Sequence, residues 1–427
     1  MKILIKNAKI IDPKSEKEFV SDLLIDKGKI IQIAKGINKT ADKEINASGK
    51  ILMPGLVDMH VHLREPGRED KETIESGTKA AAKGGVTTVL AMPNTNPAID
   101  SVKSINLLAK IINKTAKVNV YISASITKKR EGQEIVDVKE LKDKGVLAIT
   151  DDGSSVEDEK VMEQALTKAK ENNMLVICHS QDHVLSKEGV VNLGFTSTRL
   201  GLRGVSRESE YKRVERDIKL AKTTQAKIHI AHVSCAESVG IIEKAKKQGI
   251  KVTAETAPHY FSLTEKEVLG YDTNMKMNPP LRREEDRQAI ISGLKKGTID
   301  AIASDHAPHT ENEKDIEFER AAFGVVGLET ELAISISELI NKKNLSWIDL
   351  AKKISFNPAK ILGINKGFIE EGTDADLIIV DPDRQWQVKK ENLVSKSKNS
   401  CFLNKKVKGA VEYTICLGEI VYSKEEK

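Results

Sequence analysis

Apolar and polar positions follow two different rhythms along this chain. Near both ends they alternate at short range, in KILIKNAKIID (2–12), DLLIDKGKIIQI (22–33), DADLIIVDP (374–382) and AVEYTICLGEIVYS (410–423). Such alternation predicts half-buried strands separated by turns. Between them the rhythm changes to short, nearly continuous apolar runs, each followed by a polar turn and a helical pattern. The runs are LVDMHVHL (56–63), VTTVLAMPN (86–94), VNVYISASI (118–126), VLAITDD (146–152), LVICHSQ (175–181), KIHIAHVS (227–234), KVTAETAP (251–258) and IDAIASDHAPH (299–309). Intervening segments such as TIESGTKAAAKGG and DRQAIISGLKKG are helix-like and end at glycine. Continuous apolar strands alternating with helices predict a parallel sheet covered on its outer face, and eight units close a barrel. The expected architecture is α/β: a (β/α)8 barrel over 52–364, with residues 1–51 and 365–427 pairing into one small β-sandwich.

Composition narrows the partners. With 68 Lys and Arg against 63 Asp and Glu, the chain carries a net charge of +5 and no basic block interleaved with aromatics. A nucleic-acid partner is therefore not expected. No apolar run approaches a membrane span, and the first residues lack a signal-peptide pattern. Four cysteines without a CxxC pair fit a reducing, cytoplasmic setting.

The chemistry collects at the ends of the apolar runs. Strand alternation places His60 and His62 on one face, ~7 Å apart, close enough to grip one ion. Asp151 and Asp152 close the fourth run, His179 the fifth, His232 the sixth and Asp305 the eighth, all at C-terminal ends. In a barrel that is the face where active sites form. Four imidazoles and two carboxylates suit divalent transition metals, with zinc the default. Six groups exceed one tetrahedral ion, so two ions sharing a carboxylate are expected, with a bridging hydroxide as nucleophile. Strand parity puts Asp151 and Asp152 on opposite faces, so one of the two is expected to be the shared carboxylate. His229 and His306 are expected to be structural, and Glu72 to lie in a solvated first helical turn.

The motifs HVHLREPG, AMPNTNP, TDDG, CHSQD, AHVS, MNPPLR, SDHAPH, GLET and EGTDADLIIVDP, in this order, resemble the amidohydrolase superfamily and within it the type I dihydroorotases. The resemblance spans nearly the whole chain. It implies a TIM barrel with a β-sandwich and two Zn2+ per subunit: His60, His62 and Asp305 on one, His179 and His232 on the other, Asp151 bridging and Asp152, of the opposite parity, ranked second. Hydantoinases, allantoinases and many other dihydroorotases place a carboxylated lysine on the corresponding strand, whereas AITDDG holds none.

The implied reaction is reversible cyclisation of N-carbamoyl-L-aspartate to L-dihydroorotate in pyrimidine synthesis, with Asp305 as general base and then acid. The resemblance further assigns His62, Arg64, Asn94 and His309 to the substrate, Arg64 as the guanidinium for its carboxylate. Asn278 and the backbone of Phe323 and Gly324 would read the ring's amide edge. An allantoinase or hydantoinase-like cyclic amidase is the alternative, and a non-catalytic scaffold partner of aspartate transcarbamoylase a minor one. A homodimer is expected, and the resemblance also raises association with aspartate transcarbamoylase.

Overall fold

A computed structural model of the protein describes residues 1–425. Strands form at all eight apolar runs: β1 (Leu56–Val61), β2 (Val86–Ala91), β3 (Asn119–Ala124), β4 (Ala148–Ile149), β5 (Leu175–Cys178), β6 (Ile228–Ile230), β7 (Val252–Thr256) and β8 (Ala301–Ile302). They pair side by side in chain order, each neighbour parallel. The ring closes where Val61 bridges His306 and the His62 N–H donates to the His306 carbonyl at 2.9 Å. Every position of β1 and β2 is buried, which accounts for apolar runs that do not alternate.

The helices between strands start and stop on local signals. Thr73 caps Ile74–Gly84 by accepting the Ser76 N–H. The chain then leaves through Gly85 at φ +85°, a left-handed turn that a side chain would strain, and passes directly into β2. Asp158 caps Glu159–Glu171 in the same way.

The two chain ends meet in one sheet. Ile51–Pro54 is its hinge, pairing in parallel with Ile3–Asp12 and antiparallel with Leu377–Gln387. Ile3, Ile5, Leu23, Leu52, Leu377, Ile379 and Ile415 share a single apolar cluster drawn from both ends. The sheet thus reaches Pro54, slightly past the expected boundary at 51. A second departure is larger: between Leu377–Gln387 and Lys406–Cys416 the chain leaves the sheet and lies against the barrel loops, where Ser397 Oγ donates to the Lys71 carbonyl at 2.7 Å. Among the described residues no helix is long and apolar enough to cross a membrane.

Candidate active site

At the C-terminal mouth of the barrel, His60, His62, His179, His232, Asp152 and Asp305 form one buried cluster, none more than 8% exposed. His60 Nε2 lies 3.2 Å from Asp152 Oδ1 and 3.6 Å from Asp305 Oδ1. His62 Nε2 stands 3.4 Å from both carboxylates. On the far side, His179 Nδ1 is 3.3 Å from Asp152 Oδ1 and 2.8 Å from His232 Nε2. Two overlapping groups of ligand atoms result, His60–His62–Asp305 and His60–Asp152–His232.

Asp151 is not in this cluster. Its Oδ1 accepts the N–H groups of Ile126 (2.8 Å) and Thr127 (3.1 Å), and its Oδ2 accepts the Thr127 hydroxyl, all beyond the end of β3. The expected assignment fails because β4 is only two residues long. Past Ile149 the Thr150 hydroxyl takes the Asp152 N–H at 3.1 Å and turns Asp152 inward instead. Asp152 therefore occupies the place that the resemblance assigned to Asp151.

The surroundings decide which ring nitrogens face the cluster. Glu255 Oε1 takes the hydrogen of His60 Nδ1 at 2.6 Å, and Asn94 Oδ1 that of His62 Nδ1 at 2.8 Å. Gln181 Oε1 sits 3.2 Å from His179 Nε2. Read from these bonds, His60 and His62 turn Nε2 lone pairs, and His179 its Nδ1 lone pair, towards carboxylate oxygens. Lone pairs facing anions at 3.2–3.4 Å repel unless a cation stands between them, and His60 Nε2 is indeed without a hydrogen-bond partner. The donor set fits a divalent metal, since imidazole and carboxylate are its usual ligands and each ring is held from behind. A proton is the weaker substitute: burial pulls the His60 imidazole down, but the carboxylates of Asp152 and Asp305 lift it well above its ordinary value. Burial dominates at His62 and His179, which are lowered.

Two of these residues and nearby Arg64 hold left-handed backbone: His232 at φ +37°, Asp305 at +48° and Arg64 at +62°. Such conformations cost about 1–3 kcal/mol each outside glycine and persist where the surroundings impose them. Below the cluster, Asp58 Oδ1 accepts the His60 N–H (3.0 Å) and the Ser304 N–H (3.2 Å), tying the strand that bears His60 to the end of β8.

Beside the cluster, Arg64 donates through Nε to the Pro308 carbonyl at 3.1 Å, while another guanidinium nitrogen stands 3.3 Å from His309 Nε2. Lys71 Nζ stands 3.1 Å from His309 Nδ1, on the other side of the ring, and Glu313 Oε2 is 3.4 Å from the same nitrogen. Burial, with Arg64 and Lys71 nearby, pushes the His309 imidazole down to about 3, which keeps it neutral. A neutral imidazole thus lies between two cations, Arg64 and Lys71, a positively charged wall that suits an anion. Asn278 Nδ2 donates to Gln181 Oε1 at 2.7 Å, next to His179. Phe323 is 38% exposed at the rim. Gly324 differs from expectation: its N–H donates to the Lys276 carbonyl, and its own carbonyl accepts from Lys314 Nζ and Asn399 Nδ2, leaving its backbone engaged within the protein. Its φ of +118° and the Ala307 Cβ only 2.7 Å from where a Cβ would stand leave room for glycine alone.

Several contributors escaped the sequence reading. Glu255 was an acidic residue in an apolar strand, a visible signal of a buried partner. His229 belongs to the same assembly, with Nε2 3.3 Å from Glu255 Oε2. Glu72, expected in a solvated turn, is fully buried and carries the Lys396 N–H at 3.0 Å, with His306 Nε2 at 3.3 Å.

A family model described as dihydro-orotase-like matches residues 49–238. The dihydroorotase of Elusimicrobium minutum is 51% identical over 98% of this chain and 97% of its own, and that of Clostridioides difficile 48% over 99% and 100%. Among solved structures, the L-hydantoinase of Arthrobacter aurescens superposes with a TM-score of 0.90 at 25% identity, covering 99% of this chain and 96% of its own. With the imidazole–carboxylate cluster at the barrel mouth, this full-length similarity makes the chain a member of the dihydroorotase family of enzymes.

Proposed function

We infer that this enzyme interconverts N-carbamoyl-L-aspartate and L-dihydroorotate, with the type I arrangement of its metal ligands. His60, His62 and Asp305 would hold one Zn2+, His179 and His232 a second, and Asp152 both. The observation that carries the substrate reading is the Arg64 guanidinium beside the cluster, with His309 Nε2 3.3 Å away and Lys71 behind that ring. Dihydroorotate bears a carboxylate where a plain cyclic amide bears none, and a carboxylate is the partner that the planar guanidinium binds best.

Bound zinc would supply Lewis acidity, which acidifies a water and polarises a ring carbonyl. The rest falls to side chains. Burial alone would raise the Asp305 carboxyl, but His60, His62 and His232 hold it far below the ordinary carboxylate range. Asp305 is therefore ionised at neutral pH, ready to take the proton of the attacking water and return it to the departing ring nitrogen. Arg64, Asn94 and His309 would hold the carboxylate, fixing which carbonyl faces the nucleophile. Burial lowers the Arg64 guanidinium to about 10, leaving it charged at neutral pH. Asn278 and the backbone of Phe323 would face the ring.

The hydantoinase-like alternative is favoured only by the fold. Residues 146–152 contain no lysine, and a site for a neutral ring has no use for the Arg64–His309 pair. Turnover of L-dihydroorotate, hydantoin and allantoin by the zinc-loaded protein tests the reading. L-dihydroorotate should dominate kcat/KM, and faster turnover of either neutral ring would overturn it.

A further inference from the structure

The segment between the last long strands of the terminal sheet lies as a strap against the loops that follow β1 and β8. The N–H groups of Val394 and Ser395 donate to Glu329 Oε1 at 2.8 and 3.0 Å, anchoring it to the loop that follows Gly324. Ser395 Oγ and the Lys396 N–H donate to Glu72, and Ser397 Oγ to the Lys71 carbonyl, anchoring it to the loop after β1.

At its centre Asn399, only 6% exposed, joins two further loops. Its Oδ1 accepts the His309 N–H at 3.2 Å, and its Nδ2 donates to the carbonyls of Gly324 (3.1 Å) and Ala307 (3.4 Å). Its backbone carbonyl accepts the Val326 N–H at 3.0 Å. Both amide hydrogens are thereby committed to backbone partners, on the two loops that carry His309 and Phe323. Only a side-chain amide offers one acceptor and two donors on a short stem. Aspartate would keep the bond from His309 and lose both donations, and alanine would lose all three.

We propose that Asn399 is a positioning residue for the carboxylate subsite, clasping the His309 loop to the Phe323–Gly324 loop so that His309 faces Arg64. The C-terminal strap is thus part of the substrate site although none of its side chains is placed on the substrate. The inference rests on the dihydroorotase reading above.

The test uses the full-length zinc-loaded enzyme and its Asn399→Ala and Asn399→Asp variants. Calorimetry measures binding of orotate, a planar ring with the same carboxylate, and steady-state kinetics gives KM and kcat for L-dihydroorotate. Both variants should bind orotate at least tenfold more weakly and show KM raised at least tenfold, with kcat changed less than threefold and zinc content equal to wild type. If Asn399→Ala does not fold, the isosteric Asn399→Asp carries the test. Orotate affinity and KM within twofold of wild type in a folded variant would overturn the proposal. So would a fall in kcat and zinc content at constant KM, the signature of a merely structural residue. A wild-type enzyme that neither turns over L-dihydroorotate nor binds orotate would overturn the substrate reading itself, and this proposal with it.

Discussion

Asp151 and Asp152 are neighbours in the chain, yet their carboxylates lie on opposite sides of the end of β4. Asp151 faces the backbone N–H groups of Ile126 and Thr127, and Asp152 faces His60 at 3.2 Å. The first residue braces the mouth of the barrel, and the second belongs to the site. Asp151→Ala should orphan two buried N–H groups, at about 1–3 kcal/mol each, and lower the urea midpoint. An unchanged midpoint would contradict the bracing role.

Glu255 holds His60 from behind at 2.6 Å, and the surrounding imidazoles keep its carboxyl down at about 2 against the pull of burial. Replacing such a partner of a metal-ligating histidine typically weakens metal binding about 10–100-fold. Glu255→Gln should therefore lose zinc to a competing chelator at roughly tenfold lower concentration than wild type. Equal retention would remove Glu255 from the account.

In the proposed carboxylate subsite Arg64 would supply the charge. A charge-assisted hydrogen bond contributes about 1.5–3 kcal/mol, so Arg64→Met should raise KM for L-dihydroorotate by roughly ten- to a hundredfold. Zinc content should not change. The idea fails if the variant binds L-dihydroorotate as tightly as wild type.

The loop carrying Phe323 is also held by Lys314, whose Nζ donates to the carbonyls of Ala322 and Gly324 at 2.8 and 3.1 Å. Burial, reinforced by nearby Lys276, pushes the Lys314 ammonium from 10.5 down to about 7. Between those values the unfolded chain holds a proton that the folded chain has released. Folding stability should therefore rise as pH increases from about 7 towards 10. Burial lowers Lys276 to about 8, which adds a smaller contribution of the same sign. Thermal unfolding from pH 7 to 9.5 should show a shallower rise in Lys314→Met, and an identical slope would exclude Lys314 as its source.

The barrel was legible because eight apolar runs, each closed by a turn and a helix, permit little else. His60 and His62 were legible because they stand two residues apart at the end of β1, and both imidazoles turn to the same cluster. Alternation stopped informing where strands stopped: β4 ends at Ile149, two residues before Asp151. The strap was invisible for a different reason. Residues 393–402 have neither strand nor helix periodicity, and their serines and lysines read as an ordinary surface connection. Glu72 was misjudged with them, because the strap supplies two of its hydrogen bonds, beside those of Ser76 and His306.

Metal content per chain tests the central claim, that Asp152 is the carboxylate shared by two ions, most directly. Elemental analysis after zinc reconstitution and desalting should give two ions for wild type and for Asp151→Ala. Asp152→Asn should retain at most one, with activity lost alongside. Two ions and full turnover in Asp152→Asn would contradict the account.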